Sequence, residues 1–228
     1  MIPLKDDNPT SNKPIATYFL IGSCVLVFLL QLSSQSYKTG HLFYSYGLIP
    51  SVLMGHDKLP MDFNVIPAYL TIFTSMFMHG GFLHLIGNML YMWIFADNIE
   101  DNLGSGKFII FYLFSGIGAA MTQVFMDTHS QIPMVGASGA IGGVLGAYLI
   151  NHPNARVLVL IPFGFFSQLI KIRALYVLGF WFILQFISSG GGVAYAAHIG
   201  GFLSGIVLIL FFNKKKIKKN RIIKGPWS

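Results

Sequence analysis

Charge is what this sequence has least of. Only 10% of its 228 residues are Asp, Glu, Lys or Arg, while 54% are hydrophobic and the mean hydropathy is +0.64. A soluble globular domain carries about 25% charge. The composition therefore excludes an ordinary soluble fold and implies a polytopic membrane protein, with length for one bundle and no second domain. Cysteine is nearly absent as well. The single one, Cys24, lies inside the first apolar run, which excludes an intramolecular disulfide. Acids are missing from the middle of every apolar run, since all eight lie in the N-terminal segment, the loops or the run ends. A Ser-His-Asp triad within the membrane is thereby excluded. No Cys, Asp or Glu stands at ligand spacing beside a histidine, so no metal and no cofactor are expected. Low-complexity segments and internal repeats are also lacking. No small-residue cleavage site follows the first apolar run, which reads as an uncleaved helix rather than a signal peptide. No transit-like leader is seen, which favours a bacterial plasma (inner) membrane.

What is present is a set of apolar runs: 15–31, 70–96, 108–126, 136–150, 174–187 and 194–212. The fourth and fifth are short against the ~20 residues of a spanning helix. Six spans put both termini on one side, and thirteen of the fifteen Lys and Arg then fall there, with only Lys38 and Lys58 opposite. That asymmetry makes the termini cytoplasmic. The expected fold class is an all-α polytopic membrane protein, a six-transmembrane-helix bundle. It divides into a cytoplasmic segment 1–14, a membrane domain 15–212 and a basic cytoplasmic tail 213–228. The basic residues of the tail suit a lipid-headgroup anchor. No aromatic platform accompanies them, so nucleic acid is not an expected partner. Loop 1, residues 33–68, is amphipathic and expected to lie in the interface. The apolar stretch 157–166, broken by Pro162-Phe163-Gly164, is too short to span and reads as a cytoplasmic hairpin dipping towards lipid.

Residues that carry chemistry gather in three places. Gly136-Ala137-Ser138-Gly139 sits where a polar loop turns into a glycine-rich helix. A serine at a helix start is most often an N-cap. Here Gly139, Gly142, Gly143, Gly146 and Ala147 strip one side of that helix, so another helix can approach closely. From Ser138 to Ile150 is about 20 Å of helix, against a hydrocarbon core of ~30 Å. Ser138 then lies roughly 10 Å below the outer surface, at the floor of a submerged aqueous pocket. In the last run Ala197, Gly201 and Gly205 recur every four residues as a seam for tight packing, with His198 beside it. Packing the two bare faces brings His198 towards Ser138. In the second run His84 and Asn88 are i and i+4 and share a face, whereas His79 points elsewhere. Two uncharged hydrogen-bonding side chains at that depth suit either an oxyanion site or interhelical hydrogen bonding. What remains is a Ser–His dyad: neutral His198 takes the proton from Ser138 Oγ and returns it to the leaving amine. Free N–H groups at the start of the fourth helix would help hold the oxyanion.

Gly136-x-Ser138-Gly139, Ala197-His198-x-x-Gly201-x-x-x-Gly205 and His79-x4-His84-x3-Asn88, in order across six helices, resemble the rhomboid intramembrane serine proteases. Glu100, shortly before Leu103-Gly104-Ser105-Gly106-Lys107, is similar to the rhomboid end of helix 2. The resemblance implies that Ser138 is the nucleophile and His198 the base. It implies that His84 and Asn88 are oxyanion donors beside the Ser138 amide, and that Gly136 keeps the approach to Ser138 open. Two departures stand out. The Trp-Arg pair of loop 1 in many rhomboids is absent, the first Arg being Arg156. The aromatic that some members carry four residues after the serine is here Gly142, which leaves Tyr195 or a residue of another helix to hold the imidazole.

The expected function is an intramembrane serine endopeptidase. Its expected partners are membrane lipids and single-span substrates weakened by Gly, Pro or polar residues near the outer end, with a small residue just before the cut. Access would be lateral, past the fifth helix and the loop 188–192, where Gly190-Gly191-Gly192 offers a hinge. The alternative is a rhomboid-like pseudoprotease that binds transmembrane helices without cleavage. A transporter is disfavoured by the lack of intramembrane carboxylates and of broken helices in matching halves.

Overall fold

In the computed structural model the described residues are 1–34, 40–163, 166–187 and 194–221, without the side chains of 163 and 213–221. The expected glycine hinge 190–192 and the side chains of the basic tail lie outside them. Six longer helices carry the architecture: α1 (Ile15–Ser33), α2 (Phe82–Leu103), α3 (Ser105–Met126), α4 (Ser138–Asn151), α5 (Ala174–Ile187) and α6 (Tyr195–Arg221). Among the described residues α1, α3 and Tyr195–Phe212 of α6 are long and apolar enough to cross a membrane. A fourth span results if α2 is counted with the short helical turns Ala68–Phe77. Helices α4 and α5 are apolar but only 14 residues each, about 21 Å. The chain is thus a mostly helical, polytopic membrane protein.

Three boundaries differ from the sequence expectation. The second run is two pieces, bent by 80° between Ala68–Phe77 and Phe82–Leu103. Gly80-Gly81 has no side chain to pack at the corner, and Gln31 of α1 clasps the His79 peptide there: Gln31 Nε2 donates to His79 O and His79 N donates to Gln31 Oε1, both at 3.1 Å. At its other end α2 runs seven residues past 96, to Leu103, where Gly104 in the left-handed region (φ +78°) stops it and lets α3 begin at once. The last helix continues beyond 212 to Arg221.

The expectation of an all-α fold is corrected by a three-stranded antiparallel sheet, β1 (Ile2–Asp6), β2 (Arg156–Phe163) and β3 (Phe166–Arg173), in the order β1-β2-β3. The hairpin expected over 157–166 is longer, pairing Arg156 with Arg173 through to Phe163 with Phe166. A run rich in Val, Leu and Ile alternates between the two faces of a sheet. Val157 and Val159 are buried against the bundle, while Leu158 and Leu160 are only partly covered. The third strand comes from the N-terminal segment, with Ile2 opposite Leu160 and Lys5 opposite Leu158. An apolar, β-branched segment with an unpaired edge accepts whatever extended chain lies beside it.

Helices α3, α4 and α6 form the centre. Almost all of α4 is buried, from Gly139 to Tyr148. The backbones of α4 and α6 touch: a Cβ added to Gly201 would lie 1.9 Å from Gly139 O, and one added to Gly205 2.0 Å from Gly143 O. Gly139 itself faces the Ala119 methyl of α3, 2.6 Å from where its Cβ would stand. Far from the Ser138 end, Tyr148 Oη donates to Asp6 Oδ2 of β1 at 2.5 Å. Loop 1 folds on the opposite end, with short helices His41–Tyr46 and Pro50–Leu53. Its Leu48 is fully buried against Ala120 and Val124 of α3, so part of loop 1 is packed on protein rather than spread on lipid.

Candidate active site

Ser138 is the first residue of α4, and its helix is capped by no side chain. The Ser138 hydroxyl is therefore not spent on an N-cap. It faces α6, where His198 Nε2 lies 2.8 Å from Ser138 Oγ. The seam of small residues produces this contact, because Gly139, Gly143, Gly201 and Gly205 let the two backbones meet.

The imidazole is held from behind. His198 Nδ1 lies 2.8 Å from Gln185 Oε1 of α5, while Gln185 Nε2 donates to Trp181 O at 2.7 Å. A carbonyl accepts only, so the amide must turn its NH2 towards Trp181 and its oxygen towards the imidazole. Nδ1 is then the protonated nitrogen of neutral His198, and the lone pair of Nε2 points at Ser138 Oγ. Two rings complete the surround. Trp181 lies 5.8 Å from the imidazole, tilted by 34°, and Tyr195 meets it edge-on at 6.3 Å. A Cβ at Gly142 would lie 3.7 Å from Trp181 Cη2. Trp181 thus reaches, from α5, the space an aromatic four residues after Ser138 would otherwise take.

On the other side of Ser138 stands α2. Gly80 N donates to His84 Nδ1 at 3.3 Å, which leaves the proton of neutral His84 on Nε2. That nitrogen lies 2.7 Å from where a Cβ of Gly136 would be, and Ser138 Oγ lies 3.6 Å from the same point. The backbone at Gly136 has φ +129°, a conformation that side-chain-bearing residues rarely adopt. An atom placed in this gap meets a hydrogen-bond donor and the hydroxyl together. Asn88, one turn along α2, is buried, and its Nδ2 has no hydrogen-bond partner among the described residues. Buried donors are almost always satisfied in a finished structure. His79 is fully buried and meets His84 edge-on at 5.2 Å.

Glu100 stands apart from this cluster. It is buried at the far end of α2 and accepts from Ala16 N, Thr17 N and Thr17 Oγ1 of α1 and from Ser105 Oγ of α3, at 2.5–2.9 Å. It joins helix starts and touches nothing reactive. Two clefts open beside loop 1, lined in common by Tyr44, Ile49, Val52 and Leu59. Neither borders Ser138 or His198, so the expected pocket over the serine is not among them. Ser138 itself is half-buried.

Sequence reasoning passed over three glutamines. Gln185 orients His198, Gln31 fixes the corner before His84, and Gln123 Oε1 accepts from Ala197 N at 3.2 Å in the first turn of α6. The available signal was a single amide inside an otherwise apolar helix, plainest in ALYVLGFWFILQFI.

The family model described as Rhomboid domain matches residues 67–215. Rhomboid protease GluP of Bacillus subtilis is 32% identical over 197 residues, which cover 86% of this chain and 34% of that protein. Rhomboid protein 1, mitochondrial, of Saccharomyces cerevisiae is 29% identical over 163 residues, 68% of this chain and 45% of that protein. Presenilin-associated rhomboid-like protein A, mitochondrial, of Danio rerio is 33% identical over 140 residues, 60% of this chain and 36% of that protein. The chain spans between a third and a half of the length of these relatives.

Proposed function

This chain belongs to the rhomboid family, and from that premise we propose that it is an intramembrane serine endopeptidase working through a Ser138–His198 dyad. The observation that carries the proposal is the 2.8 Å contact between His198 Nε2 and Ser138 Oγ, with Nδ1 engaged by an acceptor. The basic nitrogen then faces the hydroxyl it would deprotonate. In the first step Ser138 Oγ attacks the scissile carbonyl carbon while its proton passes to His198 Nε2. The oxyanion forms in the gap left by Gly136 and accepts from His84 Nε2–H, Asn88 Nδ2 and the Ser138 amide. Collapse breaks the C–N bond, and His198 gives its proton to the leaving amine. Water then attacks the Ser138 ester, losing a proton to His198, and His198 returns that proton to Ser138 Oγ as the C–Oγ bond breaks and the acid product departs. Asn88 Nδ2, without a partner among the described residues, supports the oxyanion assignment, since a donor kept for the transition state lacks a partner at rest.

The same reading extends to topology and substrate. Six spans with both termini cytoplasmic are supported by Lys5, Arg156, Lys171 and Arg173, which gather on the sheet at one end of the bundle. Ser138 then lies nearer the outer face of a bacterial plasma membrane, roughly 10 Å down. The substrates are single-span membrane proteins cut in the outer part of the helix. A helical peptide bond must unwind to be attacked, and Gly and Pro weaken a helix by roughly 1 and 3 kcal/mol relative to Ala. Residues 1–14 and 213–228 are cytoplasmic flanks of a catalytic bundle 15–212.

The test is cleavage of a model single-span substrate by purified protein. Ser138→Ala and His198→Ala should each abolish cleavage and fluorophosphonate labelling, with the double variant no worse than either. Residues that act as a unit are not additive. A variant at either position that still turns over, at unchanged protein level, would remove the dyad and favour a helix-binding pseudoprotease.

A further inference from the structure

We propose that Gln185 is a positioning residue for the dyad, setting the tautomer of His198 from the neighbouring helix α5. The inference rests on the Ser138–His198 reading and goes beyond it by adding a third member on a different element. Three observations carry it. Gln185 is one of only four buried residues on α5, and the other three, Ala174, Val177 and Leu178, lie in its first two turns. The lipid-facing alternatives around it, Ile183, Phe186 and Ile187, are 55–71% exposed. An amide turned inward from such a helix has a polar reason to be there. Its two ends are both engaged, the NH2 on Trp181 O and the oxygen on His198 Nδ1. The acceptor is thus anchored to the α5 backbone, and rotating the amide to offer a donor would set its own oxygen against the Trp181 carbonyl, acceptor against acceptor.

A neutral imidazole with its proton on Nε2 cannot act as base towards Ser138. Gln185 excludes that form, because Nε2–H would leave Nδ1 as an acceptor facing another acceptor. The role is one that a buried carboxylate fills in a triad. No Asp or Glu touches His198 here. The titratable groups around it are His84 across the site and Tyr195 on its own helix. A neutral amide orients the ring without adding a charge to an apolar site.

The experiment compares Gln185→Leu, Gln185→Met and Gln185→Glu in purified, monodisperse protein. Each is assayed with a transmembrane substrate, a small soluble ester and a fluorophosphonate probe. Leu and Met should lower kcat and the labelling rate about 10–100-fold with little change in KM, as loss of a histidine's outer partner does elsewhere. Glu keeps an acceptor at the same distance and should recover most of the loss. A purely packing role predicts the reverse order, since Leu and Met suit an apolar helix better than Glu does. Nitrogen-15 histidine NMR should show neutral His198 as the Nδ1–H tautomer in the parent protein and as a mixture of the Nδ1–H and Nε2–H tautomers in Gln185→Met. Parent-like labelling in either apolar variant overturns the proposal. A loss confined to the transmembrane substrate also overturns it, assigning Gln185 to substrate admission instead. If the parent protein itself neither cleaves nor labels, the dyad reading fails first, and the two failures are told apart by that control.

Discussion

Around Ser138 each polar atom has one direction left open, and that direction is set by what its other side touches. His198 Nδ1 is engaged by Gln185, so Nε2 is free for Ser138. His84 Nδ1 accepts from Gly80 N, so Nε2 carries the donor. Asn88 Nδ2 is buried with no partner among the described residues. Gly136 leaves a gap between His84 Nε2 and Ser138 Oγ, through a missing Cβ and a backbone at φ +129°. If the gap receives an oxyanion, the donors act on charge that exists only in the transition state. His84→Ala and Asn88→Ala should then lower kcat by about 10²–10³ each, with KM nearly unchanged. Steady-state kinetics on folded protein decides this. If the variants lose thermal stability instead, with kcat per folded molecule intact, the two residues are interhelical hydrogen-bonding partners only.

The helices are tied together by two unlike devices. Where α4 meets α6, backbone lies directly on backbone at Gly139–Gly201 and Gly143–Gly205. Dispersion between close-packed backbones holds such a seam in lipid, where the hydrophobic effect gives nothing. Where α1, α2 and α3 meet, one carboxylate replaces many small contacts. Glu100 satisfies two of the orphan amides at the start of α1 and the Ser105 hydroxyl at the start of α3. Its removal strands those donors in a buried site. Glu100→Ala should therefore destabilise the bundle by about 2 kcal/mol or more, taking 1.5–3 kcal/mol as typical for a hydrogen bond to a charged group. Thermal unfolding in detergent reads this as a lower midpoint, with the probe-labelling rate per folded molecule unchanged. A lower labelling rate at an unchanged midpoint would instead give Glu100 a part in the site.

Across the whole molecule, the two ends of the bundle differ in chemistry. One end carries the sheet with its Lys and Arg, the other carries loop 1 and the loop leading to Ser138. The proposed orientation places the sheet in the cytoplasm. Cys24 is the single cysteine and is buried, so introduced thiols can be followed one at a time. His129→Cys, in the loop before Ser138, should react with an impermeant maleimide on intact cells. Asn154→Cys, between α4 and β2, should react only after the membrane is opened. The reversed pattern would invert the protein and move Ser138 towards the cytoplasmic face.

The sequence by itself determined what depends on composition and on spacing along one helix. Scarce charge implied a helical membrane protein. The spacing of Gly139, Gly143, Gly201 and Gly205 implied bare faces, and the spacing of His84 and Asn88 implied a shared one. These patterns are local, so they can be read before anything is folded. Tertiary structure alone decided what requires two elements to meet. At the bend before α2, Gln31, 48 residues upstream, clasps the His79 peptide. The third strand exists because residues 2–6 lie against 157–160. The orientation of His198 depends on Gln185 and Trp181 of α5, neither at a spacing that marks it in the chain. A lone glutamine in an apolar helix signals a need for a partner, but only the packed bundle specifies which partner, because hydrogen bonds are short and directional while sequence separation carries no distance in space.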